Sequence, residues 1–134
     1  MKKTATHKIL IADDDPNDTE MTKRILSKSG FPVKVETVSF GEAALDFLQK
    51  EDDLPSLIFL DLKMPGLSGI ETLRLIRADE RLKNITVIIC TNSLLEADRK
   101  ASYAAGADGF LHKAFDIDRF ATDIKSALER WLTE

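Results

Sequence analysis

The sequence predicts one α/β domain of the doubly wound kind, a (βα)5 three-layer sandwich about a parallel five-stranded sheet. Three observations predict it. Short runs rich in Ile, Val, Leu and Phe recur at 8–12, 33–38, 57–60, 86–90 and 109–112. Longer segments with helical spacing separate and follow them. The 134 residues are 43% hydrophobic and 31% charged, a balance that folds at this length without a disulfide or metal staple. Short apolar runs between polar turns suit strands buried on both faces, and the periodic segments suit crossover helices. Right-handed crossovers then leave few topologies.

Each helix has its own local signals. The first apolar run ends in Asp13, Asp14 and Asp15, followed by Pro16. Asp15 reads as an N-cap with proline at the first helical position, and Asp18 adds negative charge to that turn. Gly30, after Ser29, marks the expected end of this helix. Ser39 or Phe40 leads into "GEAALDFLQK", where Ala44, Leu45 and Leu48 share a face. "LSGIETLRLIRADE" carries a broader stripe of Ile70, Leu73, Leu75 and Ile76. "SLLEADRKASYAAG" starts with Ser93 as its cap and ends at Gly106. The last helix starts at Asp116 and repeats Ile117, Phe120, Ile124, Leu128, Trp131 and Leu132 at helical intervals. Residues 1–6 read as a flexible tail, so that residues 1–134 make a single domain.

The bulk properties exclude several classes. A net charge of -4 argues against a nucleic-acid surface, which is usually basic. No apolar run approaches the ~20 residues of a membrane span, so no membrane insertion is expected. The start "MKKTATHK" is basic, but the apolar run behind it is too short for a signal peptide. The one cysteine, Cys90, lies in the apolar run "VIIC" and reads as a small core residue. Without export signals or paired cysteines, a cytoplasmic protein is expected. His7 and His112 have no Cys/His spacing around them and read as packing or surface residues.

Ligands of an open parallel sheet bind beyond the carboxyl ends of its strands. Here the first run ends in Asp13 and Asp14, the third in Asp61, the fourth in Thr91 and the fifth in Lys113. Three carboxylates near one point repel one another unless a cation joins them. A hard divalent ion such as Mg²⁺, with Mn²⁺ as a substitute, prefers such oxygens. Asp13 and Asp14 would hold it, and Asp15 would mainly cap the helix. Lys113 adds positive charge and Thr91 a hydroxyl donor. Together they make a receptor for a phosphoryl group, which a carboxylate could attack at phosphorus.

With these motifs, "ILIADDDP", "LIFLDLKMPGLSG", "VIICTNS" and "AGADGFLHKAF", the chain resembles a response-regulator receiver domain of two-component signalling over about residues 7 to 132. The resemblance implies the flavodoxin-like strand order 2-1-3-4-5. It implies that Asp61 is the phosphoacceptor, that Asp14 and Asp61 bind the metal directly and Asp13 largely through water, and that the main-chain carbonyl of Lys63 completes the protein's share of the shell. Thr91 would bind a phosphoryl oxygen, Lys113 would pair with the group, and Phe110 would be the aromatic switch that swings inward as Thr91 moves. Pro65, Gly66 and Gly69 match the turn after the acceptor strand. Lys63 and Ser93 fall where the family tunes hydrolysis of the acyl phosphate. A sensor histidine kinase or histidine phosphotransfer protein would be the donor. The domain would take part in its own phosphotransfer and hydrolysis without being an enzyme. Output would pass through the fourth helix, fifth strand and fifth helix to a downstream protein or to a self-dimer. With no room for a DNA-binding module after the last helix, a stand-alone receiver is expected. "DDDPND" and the long loop before the acceptor strand look similar to receivers that serve photoreceptor kinases.

Two positions depart from the family pattern. Ala114 follows Lys113 where the family has a cis proline. A cis bond to another residue costs ~2.5–4 kcal/mol, so a trans 113–114 peptide is expected, with the loop and Lys113 open to displacement. Asn92 stands where the family favours a small residue and would crowd the phosphoryl site. Three other classes remain as alternatives. One is a phosphorylation-independent binding module of the same fold. Another is a Mg²⁺-dependent aspartyl-phosphate phosphatase, although Lys63 stands where its general acid would be. A flavin protein needs donors after the first strand, where "DDDP" offers repulsion.

Overall fold

A computed structural model describes residues 6–113 and 116–132. The expected tail, apart from residue 6, and the expected trans peptide at Ala114 lie outside the described residues. Five strands alternate with five helices: β1 His7–Ala12, α1 Pro16–Ser27, β2 Val33–Val38, α2 Gly41–Lys50, β3 Leu57–Leu60, α3 Gly69–Ala78, β4 Thr86–Thr91, α4 Glu96–Ala104, β5 Gly109–His112 and α5 Ile117–Trp131. All neighbouring strands are parallel, in the order β2-β1-β3-β4-β5. This is the doubly wound sandwich that the alternating pattern predicts.

The pleat divides each central strand between two cores. Leu10, Ala12, Ile58, Leu60, Val87 and Ile89 pack on one face with Ala44 and Leu48 of α2 and Leu73 and Ile76 of α3. Ile9, Ile11, Leu57, Phe59, Ile88 and Cys90 pack on the other with Leu26 of α1 and Phe120, Ile124 and Leu128 of α5. Both faces of β1, β3 and β4 are therefore dry, which is why these strands read as unbroken apolar runs. α4 is the exception among the helices, since Ser102 is its one buried residue.

Some local expectations need correction. α1 ends at Ser27, and the positive φ of 88° comes only at Gly30, after a further turn. Leu75 is 47% exposed, so the apolar stripe of α3 is narrower than its spacing suggests. Ile117 is also exposed, lining an open cleft between α1 and α5 with Ile25 and Ala121. Ser93 does not cap α4, whose N-cap is Leu95 without a side-chain bond. The Ser93 hydroxyl instead accepts from the Leu95 N–H and donates to Asp98. α3, by contrast, has a reciprocal cap in which Ser68 accepts from the Glu71 N–H and Glu71 accepts from the Ser68 N–H.

Candidate phosphoryl and metal site

Strand register brings the polar residues together. Ala12 pairs with Leu60, so Asp13 and Asp61 leave the sheet side by side, and the Asp61 N–H donates to the Ala12 carbonyl at 2.9 Å. Leu60 pairs with Ile89, which sets Thr91 one step beyond Asp61. Thr91 pairs with His112, and the Lys113 N–H donates to the Thr91 carbonyl at 2.7 Å. The carboxyl ends of β1, β3, β4 and β5 thus deliver Asp13, Asp61, Thr91 and Lys113 to one edge.

Asp13, Asp61, Thr91 and Lys113 are buried, whereas Asp14 is exposed. Ligand atoms of Asp13, Asp14 and Asp61 lie within 4.8 Å of one another. Oxygen donors at this spacing fit a hard divalent cation, which takes one or two carboxylates and keeps several waters. Asp15 stands apart from this group and caps α1, accepting from the Asn17 N–H at 2.8 Å and the Asp18 N–H at 3.3 Å. Asp13 is held at both oxygens: Oδ1 accepts from the Asp15 N–H at 2.9 Å, and Oδ2 accepts from Lys113 Nζ at 2.8 Å.

Lys113 is the buried cation of the site. Its ammonium also donates to Asp18 Oδ2 at 2.9 Å and lies 3.5 Å from Asp61 Oδ2. Lys113 thus sits beside Asp61, while the loop after it, at Ala114, lies outside the described residues. Asp18 is the site residue that sequence reasoning missed, having been read only as a first-turn charge. Its signal was its place three residues after the Asp15 cap, on the turn that overlooks the end of β1.

The charges perturb one another. Burial pushes the Asp61 carboxyl up from 3.8 to about 6, against the pull of the Lys113 charge, and Asp13 adds to the rise. The backbone amides of Lys63 and Leu62 act in the opposite sense. Burial draws the Lys113 ammonium down, but hydrogen bonds to Asp13 and Asp18 together with the charges of Asp61 and Asp13 outweigh it, so its pKa stands above the ordinary lysine value. Burial also pushes the Cys90 thiol up, leaving it a neutral core group.

A cleft of about 210 Å³ opens over Asp61, lined by Lys63, Thr91, Asn92 and Ser93. The Thr91 hydroxyl oxygen accepts from the Ser93 N–H at 3.1 Å, which fixes the β4–α4 turn around the cleft. Asn92 is exposed at the rim, its carbonyl oxygen 3.1 Å from His112 Nε2. Phe110 is half-buried against the α2–α3 core. Gly69 approaches the acceptor backbone so closely that a Cβ there would collide with the Asp61 carbonyl oxygen and Leu62 Cα. Only glycine lets α3 start against the end of β3.

The family model of the response regulator receiver domain matches residues 9–125. The response regulator Rre1 of a Synechocystis strain is 33% identical over 122 residues, 91% of this chain and 52% of that protein. The chain therefore spans about half the length of that relative. Among solved structures, the phosphorylated cyanobacterial phytochrome response regulator RcpA superposes with a TM-score of 0.89 at 30% identity, covering 96% of each chain. The Mn²⁺-bound form of the response regulator Rcp1 superposes with a TM-score of 0.84 at 29% identity, covering 94% of each. Among the described residues, no helix is long and apolar enough to cross a membrane.

Proposed function

Because the chain belongs to the response regulator receiver domains, we propose that it is a phosphorylation-dependent signalling switch whose phosphoacceptor is Asp61. The observation that carries this reading is the meeting of Asp13, Asp14 and Asp61 within 4.8 Å, with Lys113 3.5 Å from Asp61. Residues 1–134 act as one receiver domain.

Asp13, Asp14, Asp61 and the main-chain carbonyl of Lys63 would hold Mg²⁺ or Mn²⁺, and the metal-bound relative Rcp1 supports that choice. When bound, the ion neutralises charge on the phosphoryl oxygens. The Asp61 carboxylate oxygen attacks phosphorus of a phosphohistidine. An O–P bond forms and the P–N bond breaks, its electron pair returning to the imidazole, which is protonated as it leaves. Lys113 donates to one phosphoryl oxygen and Thr91 to another. Water later attacks the same phosphorus, releasing phosphate and restoring the Asp61 carboxylate. Lys63, Asn92 and Ser93 line the cleft through which donor and water arrive, and so modulate both steps.

The switch follows from contacts that exist only after phosphorylation. Thr91 gives up the Ser93 N–H to meet the phosphoryl group, the β4–α4 turn shifts, and Phe110 moves into the space behind it. α4 is the element most able to follow, since Ser102 is its one buried residue. The changed face of α4, β5 and α5 then meets a downstream protein or a second copy of the chain. The donor is a histidine kinase or a histidine phosphotransfer protein, and the likeness to the phytochrome regulator RcpA favours a photoreceptor kinase.

The test is phosphotransfer from autophosphorylated, radiolabelled histidine kinases, including a phytochrome kinase. Label is expected to pass to the wild-type chain and not to Asp61→Asn. No transfer from any kinase of the source organism would favour a binding module that works without phosphate.

A further inference from the structure

One carboxylate in the pocket belongs neither to the metal cluster nor to the acceptor. Asp18 stands in the first turn of α1 and accepts from Lys113 Nζ at 2.9 Å, across 95 residues of sequence. Its carboxylate is free to do so, because Asp15 already caps the helix. It is absent from the group of side chains that converge for a cation.

The ammonium geometry gives Asp18 a task. Lysine has three N–H donors on a flexible four-carbon stem. Asp13 at 2.8 Å and Asp18 at 2.9 Å take two of them, and the ammonium that remains lies 3.5 Å from Asp61 Oδ2. One partner would leave the ammonium free to rotate about that bond. Two partners on different elements, the end of β1 and the start of α1, set its direction. A cation held by Asp13 would compete with the first of these contacts, and the second, to Asp18, lies outside the cation's carboxylates.

We infer that Asp18 is a positioning residue that anchors Lys113 beside Asp61 so that the ammonium meets the incoming phosphoryl group. The inference rests on Asp61 being the phosphoacceptor. In the assisted step the Asp61 oxygen–phosphorus bond forms, the bond to the leaving group breaks, and that group departs with the electron pair. Lys113 keeps its proton and donates a hydrogen bond to the phosphoryl oxygen. A charge placed only to complement the helix N-terminus would need no fixed distance to Lys113.

The test compares wild type, Asp18→Asn and Asp18→Glu, each shown by thermal unfolding to be folded. With acetyl phosphate and saturating Mg²⁺, intact mass over time gives the rate of phosphoryl uptake, with acetate as the leaving group. Asp18→Asn is expected to slow uptake about tenfold, the effect of losing one charge-assisted hydrogen bond. Asp18→Glu keeps the charge and recovers most of the rate. The second readout is the NMR signal of the Lys113 ammonium in unphosphorylated protein. Its protection from solvent exchange should fall in Asp18→Asn and persist in Asp18→Glu. An unchanged rate in Asp18→Asn overturns the inference, as does a slower rate with an unchanged ammonium signal. If wild type takes up no phosphoryl group, the reading of Asp61 fails. The ammonium signal then decides whether Asp18 is the anchor of Lys113: lost protection in Asp18→Asn keeps it so, and retained protection overturns it.

Discussion

Replacing Asp61 with asparagine should make the metal-free protein more stable, and the gain should depend on pH. The folded protein holds a proton on Asp61 up to about pH 6, against 3.8 for an ordinary aspartate. The folded state therefore binds that proton more tightly than the unfolded state. The resulting stability is fully present below 3.8 and is lost as pH rises through about 6. Above that, the buried charge costs about 3 kcal/mol, at about 1.4 kcal/mol for each step of pKa. Asparagine escapes this cost and leaves Lys113 its bonds to Asp13 and Asp18. That cost is already net of the pull of Lys113 3.5 Å away, and solvent in the cleft over Asp61 screens part of it. A net stabilisation of about 2 kcal/mol at pH 8, fading toward pH 4, is the expected result. Urea unfolding of both proteins in chelator at several pH values measures it. Added Mg²⁺ should narrow the gap by stabilising wild type more. A variant no more stable than wild type at pH 8, or a gap that ignores pH, would refute the reasoning that burial governs this carboxyl.

Further outcomes follow from the same geometry. Lys113→Met strands buried carboxylates and should lower the stability of the metal-free protein by about 3 kcal/mol in urea unfolding. The same variant should bind Mn²⁺ more tightly by calorimetry, because no ammonium competes for Asp13 and Asp61. Gly69→Ala forces the start of α3 away from the Asp61 backbone and should cost about 2 kcal/mol, with slower phosphoryl uptake, read by thermal unfolding and intact mass. Mn²⁺ affinity measured by calorimetry should rise with pH through about 6, as Asp61 of the metal-free protein gives up its proton to take a cation, and an affinity flat between pH 5 and 7.5 would count against this.

What the sequence made legible, and what it hid, divides along one physical line. Strands buried on both faces must be apolar throughout, so β1, β3 and β4 stood out, while β2 and β5 at the sheet edges were read from shorter or mixed runs, and the strand ends located Asp13, Asp14, Asp61, Thr91 and Lys113. Parallel register then brings those ends together without further information. Helix faces were less readable. Leu75 carries an apolar side chain at the right interval yet is 47% exposed, because α3 meets α2 and the sheet over a narrower arc. Ser93 looked like a cap, but its hydroxyl is taken up by the turn before α4. Asp18 was hidden for a different reason. Its partner is 95 residues away, and a first-turn aspartate has a sufficient local explanation.

The most direct measurement is intact mass after incubation with Mg²⁺ and acetyl phosphate, with peptide mapping of the modified residue. The account predicts a gain of one phosphoryl group on Asp61 that needs the metal and is absent in Asp61→Asn. A gain that survives that substitution, or no gain in well-folded protein, would contradict it.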